Sequence, residues 1–233
     1  QVWAYAEENN GYSNMVTQGD PTVGAYFISY ESDDQMRISH EWSNINVTYP
    51  FSVWVQITVV KNDDGTKLYF DGQLVAETNS TMLPTENPFF IGVQYNGSTE
   101  HWNGNIDEVR IWNIALSETE IQSNYNTALT GAETGLVGYW NFNEGSGITL
   151  TDQTSNGNNG TINGATWSTD VPDTTSTTLP NISVDPDSLY QYLLPGESAT
   201  QTLTISNSGI DDLTFYFDTT LTNPFHSQPT PAY

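Results

Sequence analysis

Gly104-Asn-Ile-Asp-Glu-Val-Arg-Ile-Trp-Asn-Ile-Ala-Leu-Ser-Glu-Thr-Glu-Ile121 carries a strand pattern directly into a helix start. From Ile106 to Trp112 the residues change face at each step. Asp107, Val109 and Ile111 are expected on one side, and Ile106, Glu108, Arg110 and Trp112 on the other. On that reading Glu108 and Arg110 form a surface ion pair of about 0 to 1 kcal/mol. Asp107, at the end of a largely apolar face, needs a backbone N–H or a metal as partner, and structural hydrogen bonding is the expected role. Ser117 stands three residues before Glu120, the spacing of a reciprocal helix cap, and Ile121 to Leu129 supply about two turns.

Working outward, Asn10-Gly11, Asp64-Gly65, Asp71-Gly72, Asn96-Gly97 and Asn103-Gly104 recur between short aromatic and β-branched runs. That is the pattern of an antiparallel sandwich. Trp54-Val-Gln-Ile-Thr-Val-Val60, the turn Asn62-Asp-Asp-Gly65 and Lys67-Leu-Tyr-Phe-Asp-Gly-Gln-Leu-Val75 read as a hairpin, and Gly135-Leu-Val-Gly-Tyr-Trp-Asn-Phe-Asn-Glu-Gly145 as a closing strand. These stretches, with the strand, cap and helix of 104–121, resemble the laminin G-like and pentraxin-like (concanavalin A-like) jelly rolls. The resemblance extends over residues 1–167. It implies an all-β fold: an antiparallel jelly-roll β-sandwich with one short helix. In that family, strands resembling F-D-G-x-x-D-Y-V precede the one at Val2-Trp-Ala-Tyr5. The expectation is that processing removed them or that another copy of the chain donates a strand across an exposed edge.

Residues 168–180 are rich in Thr, Ser and Pro with little to bury, and read as an extended linker. Beyond it, Ile182-Ser-Val-Asp-Pro-Asp187, Ala199-Thr-Gln-Thr-Leu-Thr-Ile-Ser-Asn-Ser-Gly209 and Leu213-Thr-Phe-Tyr-Phe217 alternate as strands. Residues 181–233 resemble part of the immunoglobulin-like modules of bacterial surface proteins, since a full sandwich of that kind wants about seven strands.

Acids outnumber bases 28 to 4, a formal charge of −24, and no Lys or Arg follows Arg110. A polyanion would meet repulsion throughout, so nucleic acid is not an expected partner. No apolar run approaches the length of about 20 residues that crosses a bilayer, so membrane insertion is not expected. No signal peptide stands at Gln1, and the chain reads as mature or a fragment. Cysteine is absent, so neither disulfides nor thiolate metal sites contribute. Five Asn-x-Ser/Thr sequons begin at Asn46, Asn79, Asn96, Asn159 and Asn181, as chance provides in an Asn- and Thr-rich chain.

The pentraxin-like resemblance implies Ca²⁺ on one sheet face. Asp20 stands at the family's early ligand position and Gln94 and Asn96 at the later ones, with Glu100 a looser fourth. Carboxylate and amide oxygens suit that hard cation, although Asn-Gly and Gly-Asp also favour tight turns unaided. The run Asp152-Gln-Thr-Ser-Asn-Gly-Asn-Asn-Gly160 is expected to be a long hairpin loop. Trp3, Trp54, Trp112 and Trp140 fall inside strand patterns and are expected in the core. Trp42, Tyr95, His101 and Trp102 fall in loop contexts beside polar amides, the mixture that stacks on sugar rings and bonds their hydroxyls.

Catalysis has no support from spacing. No E-x-D-x-E occurs, and Asp107 and Glu108 are adjacent rather than two apart. His40, His101 and His226 have neither metal-type spacing nor a nucleophile motif beside them. The sequence therefore predicts a non-catalytic module, extracellular or at the cell surface, binding a glycan or a cell-surface protein, with calcium assisting. Two alternatives stay open: a structural subunit of a fibre completed by other copies of itself, and an accessory domain of a secreted hydrolase.

Overall fold

A computed structural model describes residues 1–20, 24–38, 44–79, 87–173, 182–185, 200, 202 and 204–207. The chain divides into two compact units, Gln1–Ser176 and Thr177–Tyr233, with the division inside the 168–180 stretch. In the first unit the strands are β1 (Val2–Tyr5), β2 (Ser13–Asp20), β3 (Gly24–Tyr30), β4 (Gln35–Arg37), β5 (Asn44–Thr48), β6 (Val55–Asn62), β7 (Gly65–Phe70), β8 (Gln73–Thr78), β9 (Phe89–Ile91), β10 (Asn105–Asp107) and β11 (Val109–Trp112). Helix α1 (Glu118–Asn124) and strands β12 (Leu136–Trp140), β13 (Thr149–Leu150) and β14 (Gly160–Thr161) complete it. In the second unit β15 (Ile182–Asp185) pairs antiparallel with β16 (Thr204–Asn207). Leu213–Phe217 lies outside the described residues.

Two five-stranded antiparallel sheets form the sandwich, one ordered β10-β1-β6-β7-β8 and the other β5-β4-β3-β2-β9. Period-two alternation fills the space between them with Val2, Ala4, Ile57 and Leu68 from the first sheet and Val16, Ile28, Tyr30 and Met36 from the second, all at most 1% exposed. Each large aliphatic buried there stabilises the fold by about 1.5–3 kcal/mol. The all-β jelly-roll expectation is met. One added hairpin is written in the sequence: Asp71 and Gly72, at φ 46° and 78°, make the two-residue turn between β7 and β8.

Helix α1 begins where the cap was expected. Glu120 N–H donates to the Ser117 hydroxyl, and the Ser117 N–H donates to the Glu120 carboxylate at 2.7 Å. Its Ile121 packs with Tyr69 and Leu116. The helix stops at Asn124 rather than running on to Leu129, and the carbonyls of Asn124 and Thr127 accept from Arg110, each at 2.7 Å.

The strand expected as one piece over 106–112 is two. Glu108 takes φ 50°, separating β10, paired with β1, from β11, paired with β12. Gln1 carries the first pairing past the break, since Arg110 N–H donates to its carbonyl at 2.9 Å. The expected surface ion pair is instead buried. Glu108 and Arg110 are 6% and 0% exposed, the carboxylate accepts from the guanidinium at 2.7 Å, and Tyr139 Oη donates to it at 2.9 Å. Arg110 keeps the face opposite the core residue Val109, and the 124–127 segment and Tyr139 cover that face. Trp54 also departs from expectation: it precedes β6, half-buried, with its indole against the Tyr5 ring.

Candidate binding cleft

The segment 92–102, which holds most of the expected site residues, connects β9 to β10 and divides into two parts. Its first part lies over the outer face of the second sheet. A bulge in β2 between Asn14 and Val16 puts Asn14 and Thr17 on that outer face. Thr17 Oγ1 donates to the Val93 carbonyl at 2.9 Å, and Asn14 N–H to the Glu100 carbonyl at 3.2 Å. Tyr95 rests edge-on against Phe27, and the Arg37 guanidinium lies 4.6 Å from the same Phe27 ring centroid.

The residues of the implied calcium set have partners within the protein. Gln94 Oε1 accepts from Asn96 Nδ2 at 3.0 Å and from Thr99 Oγ1 at 2.7 Å. Asn96 Oδ1 accepts from the Ser98 and Thr99 N–H groups, an Asx turn. Glu100 turns inward, where Oε2 faces Arg37 at 3.3 Å and accepts from Asn14 Nδ2 at 2.9 Å. The Asp20 backbone ends β2 opposite Gly24, and its side chain lies outside the described residues. Gln94 Oε1, Asn96 Oδ1 and Glu100 Oε2 are thus engaged, and among the described residues no three His, Asp or Glu side chains converge. A cation here would have to displace these bonds, so the described donors do not fit one as they stand.

Asp152 shows how such a carboxylate is used without a metal. Burial raises its pKa, but the Thr154, Tyr139 and Asn158 N–H groups, at 2.8–3.0 Å, and the Thr154 hydroxyl outweigh this and hold it below 3.8. The 152–160 run is therefore a loop organised around one acid.

The second part of the 92–102 segment borders a cleft of about 970 Å³ at the side of the sandwich where β9 and β10 are the outermost strands of their sheets. Trp102 stands on one wall, half-buried, with its ring 5.3 Å from Tyr30 and 5.6 Å from Tyr49 and its indole N–H donating to the Asn105 carbonyl. Trp140 and Phe89 stack at 5.8 Å with 15° between their planes. Phe142 and Trp167 add two more half-buried rings. His101 sits exposed at the rim.

Asp107 also lines the cleft, 8% exposed. Oδ1 accepts from the Glu108 N–H at 2.8 Å, the backbone partner the sequence called for. Among the described residues Oδ2 has no hydrogen-bond partner. Burial drives the Asp107 pKa from 3.8 to about 7; the Glu108 N–H and Arg110 oppose the rise and the Glu108 carboxylate adds to it. Asp170, also in the lining, accepts from Trp54 Nε1 at 3.1 Å and from Asn105 Nδ2 at 2.8 Å. Asp170 falls in the stretch read as linker, and these two bonds tie it to the jelly roll.

Of the four residues expected to hold a ligand, the structure brings His101 and Trp102 to this cleft and seats Tyr95 over the outer sheet face. Trp42 lies outside the described residues. Sequence reasoning missed Phe142, Trp167 and Asp170. Trp167 carried a usable signal, an isolated Trp in Ala165-Thr-Trp-Ser168 with no strand pattern around it. Asp170 carried none, because its partners are 65 and 116 residues away.

The family described as the Concanavalin A-like lectin/glucanases superfamily matches residues 1–122. Among solved structures, a candidate carbohydrate-binding protein from Bacteroides ovatus superposes at TM-score 0.57 with 16% identity, over 69% of this chain and 50% of that one. The present chain therefore spans half the length of that protein, and the likeness is one of fold. Two structures of Trypanosoma rangeli sialidase superpose at TM-scores of 0.38 and 0.40, with 16% and 19% identity, over 52% and 54% of this chain and 21% and 22% of theirs. Those two carry no argument. No curated protein sequence matches.

Proposed function

The chain belongs to the concanavalin A-like lectin/glucanase superfamily, and from that premise we propose that it is a non-catalytic glycan-binding module acting outside the cell or at its surface. The observation that carries the reading is the cleft: half-buried rings at Trp102, Phe142 and Trp167 share one concavity with the polar groups of Asn105, Asp107 and Asp170. Pyranose rings present apolar C–H faces and a belt of hydroxyls, and a wall of this composition meets both. The ring carbons stack on the aromatics and the hydroxyls bond the amide and carboxylates. A retaining glycosidase would need a second free carboxyl about 5 Å from Asp107. Glu108 is taken by Arg110 and Tyr139, and Asp170 by Trp54 and Asn105, which supports binding without hydrolysis. No helix among the described residues is long and apolar enough to cross a membrane.

The reading does not require calcium, since the described oxygens of Gln94, Asn96 and Glu100 already have protein donors. A glycan-array screen with and without EDTA tests it. The expected outcome is binding to a subset of glycans that EDTA leaves unchanged. Absence of binding in both conditions overturns the glycan reading, and binding abolished by EDTA and restored by Ca²⁺ overturns its metal-free form.

A second reading, strand addition, is favoured by one observation. β9 pairs only with β2 and β10 only with β1 among the described residues, so an edge of each sheet borders the cleft. A strand from another copy would pair there and make a surface fibre. A chain that sediments as a polymer and binds no glycan supports it, and a monomer that binds glycan excludes it.

A further inference from the structure

The cleft has a charge character that its aromatic walls do not by themselves explain. Two carboxylates, Asp107 and Asp170, line it, and no lysine or arginine does among the described residues. The nearest arginine in sequence, Arg110, does not line the cleft, and its Nη1 and Nη2 donate to Asn124, Glu108 and Thr127. Asp107 is more than nine-tenths buried, and its Oδ2 is left without a protein partner in a concavity of ring faces. That oxygen is open to a donor that a ligand brings. The chain as a whole carries −24.

Resting on the glycan reading above, we propose that the cleft selects sugars bearing protonated amino groups, of the glucosamine type, over neutral N-acetylated sugars and over sugars bearing carboxylates. A protonated amine is attracted to the negative faces of Trp102, Phe142 and Trp167 and to the Asp170 carboxylate, and beside Asp107, whose pKa burial raises to about 7, it favours the ionised form and supplies the N–H donors that Oδ2 lacks. An acetamido group offers one neutral N–H in place of that charge. A uronic acid would bring an anion against Asp170, and against Asp107 wherever it is ionised, with no lysine or arginine in the lining to compensate, which is discrimination by repulsion. The same aromatic walls serve all three sugars, so the sign of the substituent decides among them.

Calorimetric titration of the full chain at pH 7 with three probes tests this: a glucosamine tetramer, an N-acetylglucosamine tetramer and a galacturonic acid tetramer. The glucosamine tetramer is expected to bind about tenfold more tightly than the N-acetylated one, and the galacturonate not measurably. Asp107→Asn and, separately, Asp170→Asn are expected to bring the ratio of the first two affinities towards one. A circular-dichroism spectrum like that of the parent chain shows that each variant is folded. N-acetylated binding equal to or tighter than amine binding, or binding of the galacturonate, overturns this inference while leaving the glycan reading intact. Failure of all three probes overturns this inference, and the glycan reading falls with it only if the array also finds no neutral sugar. A tenfold preference that both variants retain shows that the carboxylates do not set it and overturns the assignment to them.

Discussion

Replacing Asp107 by Asn removes a carboxyl whose ionisation the folded chain resists. Its pKa rises from 3.8 to about 7, chiefly because burial in the cleft wall strips water from the charged form. That rise, at about 1.36 kcal/mol for each tenfold change in proton affinity, corresponds to at most about 4 kcal/mol. The sign follows from which state holds the proton. Between pH 3.8 and about 7 the folded chain keeps it and the unfolded chain has released it, so this group's stabilising contribution is complete below 3.8 and is lost as pH rises through about 7. Asn stays neutral at every pH and retains an oxygen to accept the Glu108 N–H. Urea denaturation of both chains at pH 4 and pH 8 isolates the effect, because every other titrating group is common to the two. The stability of Asp107→Asn relative to the parent is expected to improve by about 2–4 kcal/mol from pH 4 to pH 8. A difference that stays constant across that range would mean that the carboxyl is hydrated and not held in the wall, and would refute the reasoning.

Three further perturbations probe the frame around the cleft. Glu108→Ala leaves the buried Arg110 guanidinium without its carboxylate and is expected to cost about 3–5 kcal/mol in urea denaturation, with Glu108→Gln recovering part of the loss; a change under about 1 kcal/mol would return this pair to the surface. Asp152→Ala removes the acceptor of three backbone N–H groups and a hydroxyl and is expected to cost about 2 kcal/mol or more. Because the Asp152 pKa is lowered, that contribution is present above pH 3.8 and fades as pH falls through the folded value, so the penalty of the substitution should shrink in acid. Gly104→Ala would put a Cβ 1.9 Å from the Tyr5 carbonyl oxygen and should push β10 from β1, lowering stability by about 1–3 kcal/mol; a neutral effect in thermal melting would contradict that close approach.

What the sequence made legible is what is local. The Ser117–Glu120 cap and the Asp71-Gly72 turn depend on residues a few positions apart. The break at Glu108 was not legible, because no rule assigns φ 50° to a glutamate. Nor was the burial of Glu108 and Arg110, because Asn124, Thr127 and Tyr139, which cover them, are distant in sequence. The site divided in the same way. Gln94, Asn96 and Glu100 had the composition of a cation loop, yet their bonds to one another, to Thr99, to Asn14 and to Arg37 are contacts that composition does not specify. Trp102 was legible as a loop aromatic, and its packing against Tyr30 and Tyr49 leaves the ring both supported and half-exposed. Trp167 and Asp170 join the cleft across long sequence separations, Asp170 from a stretch whose composition reads as linker.

A crystal structure of the chain with a bound glucosamine tetramer tests the central claim most directly. The account predicts sugar rings stacked on Trp102 or Trp167, with an amino group at Asp107 Oδ2. Density for the sugar over Tyr95 on the outer face of the second sheet, or a polypeptide strand filling the cleft between β9 and β10, would contradict it.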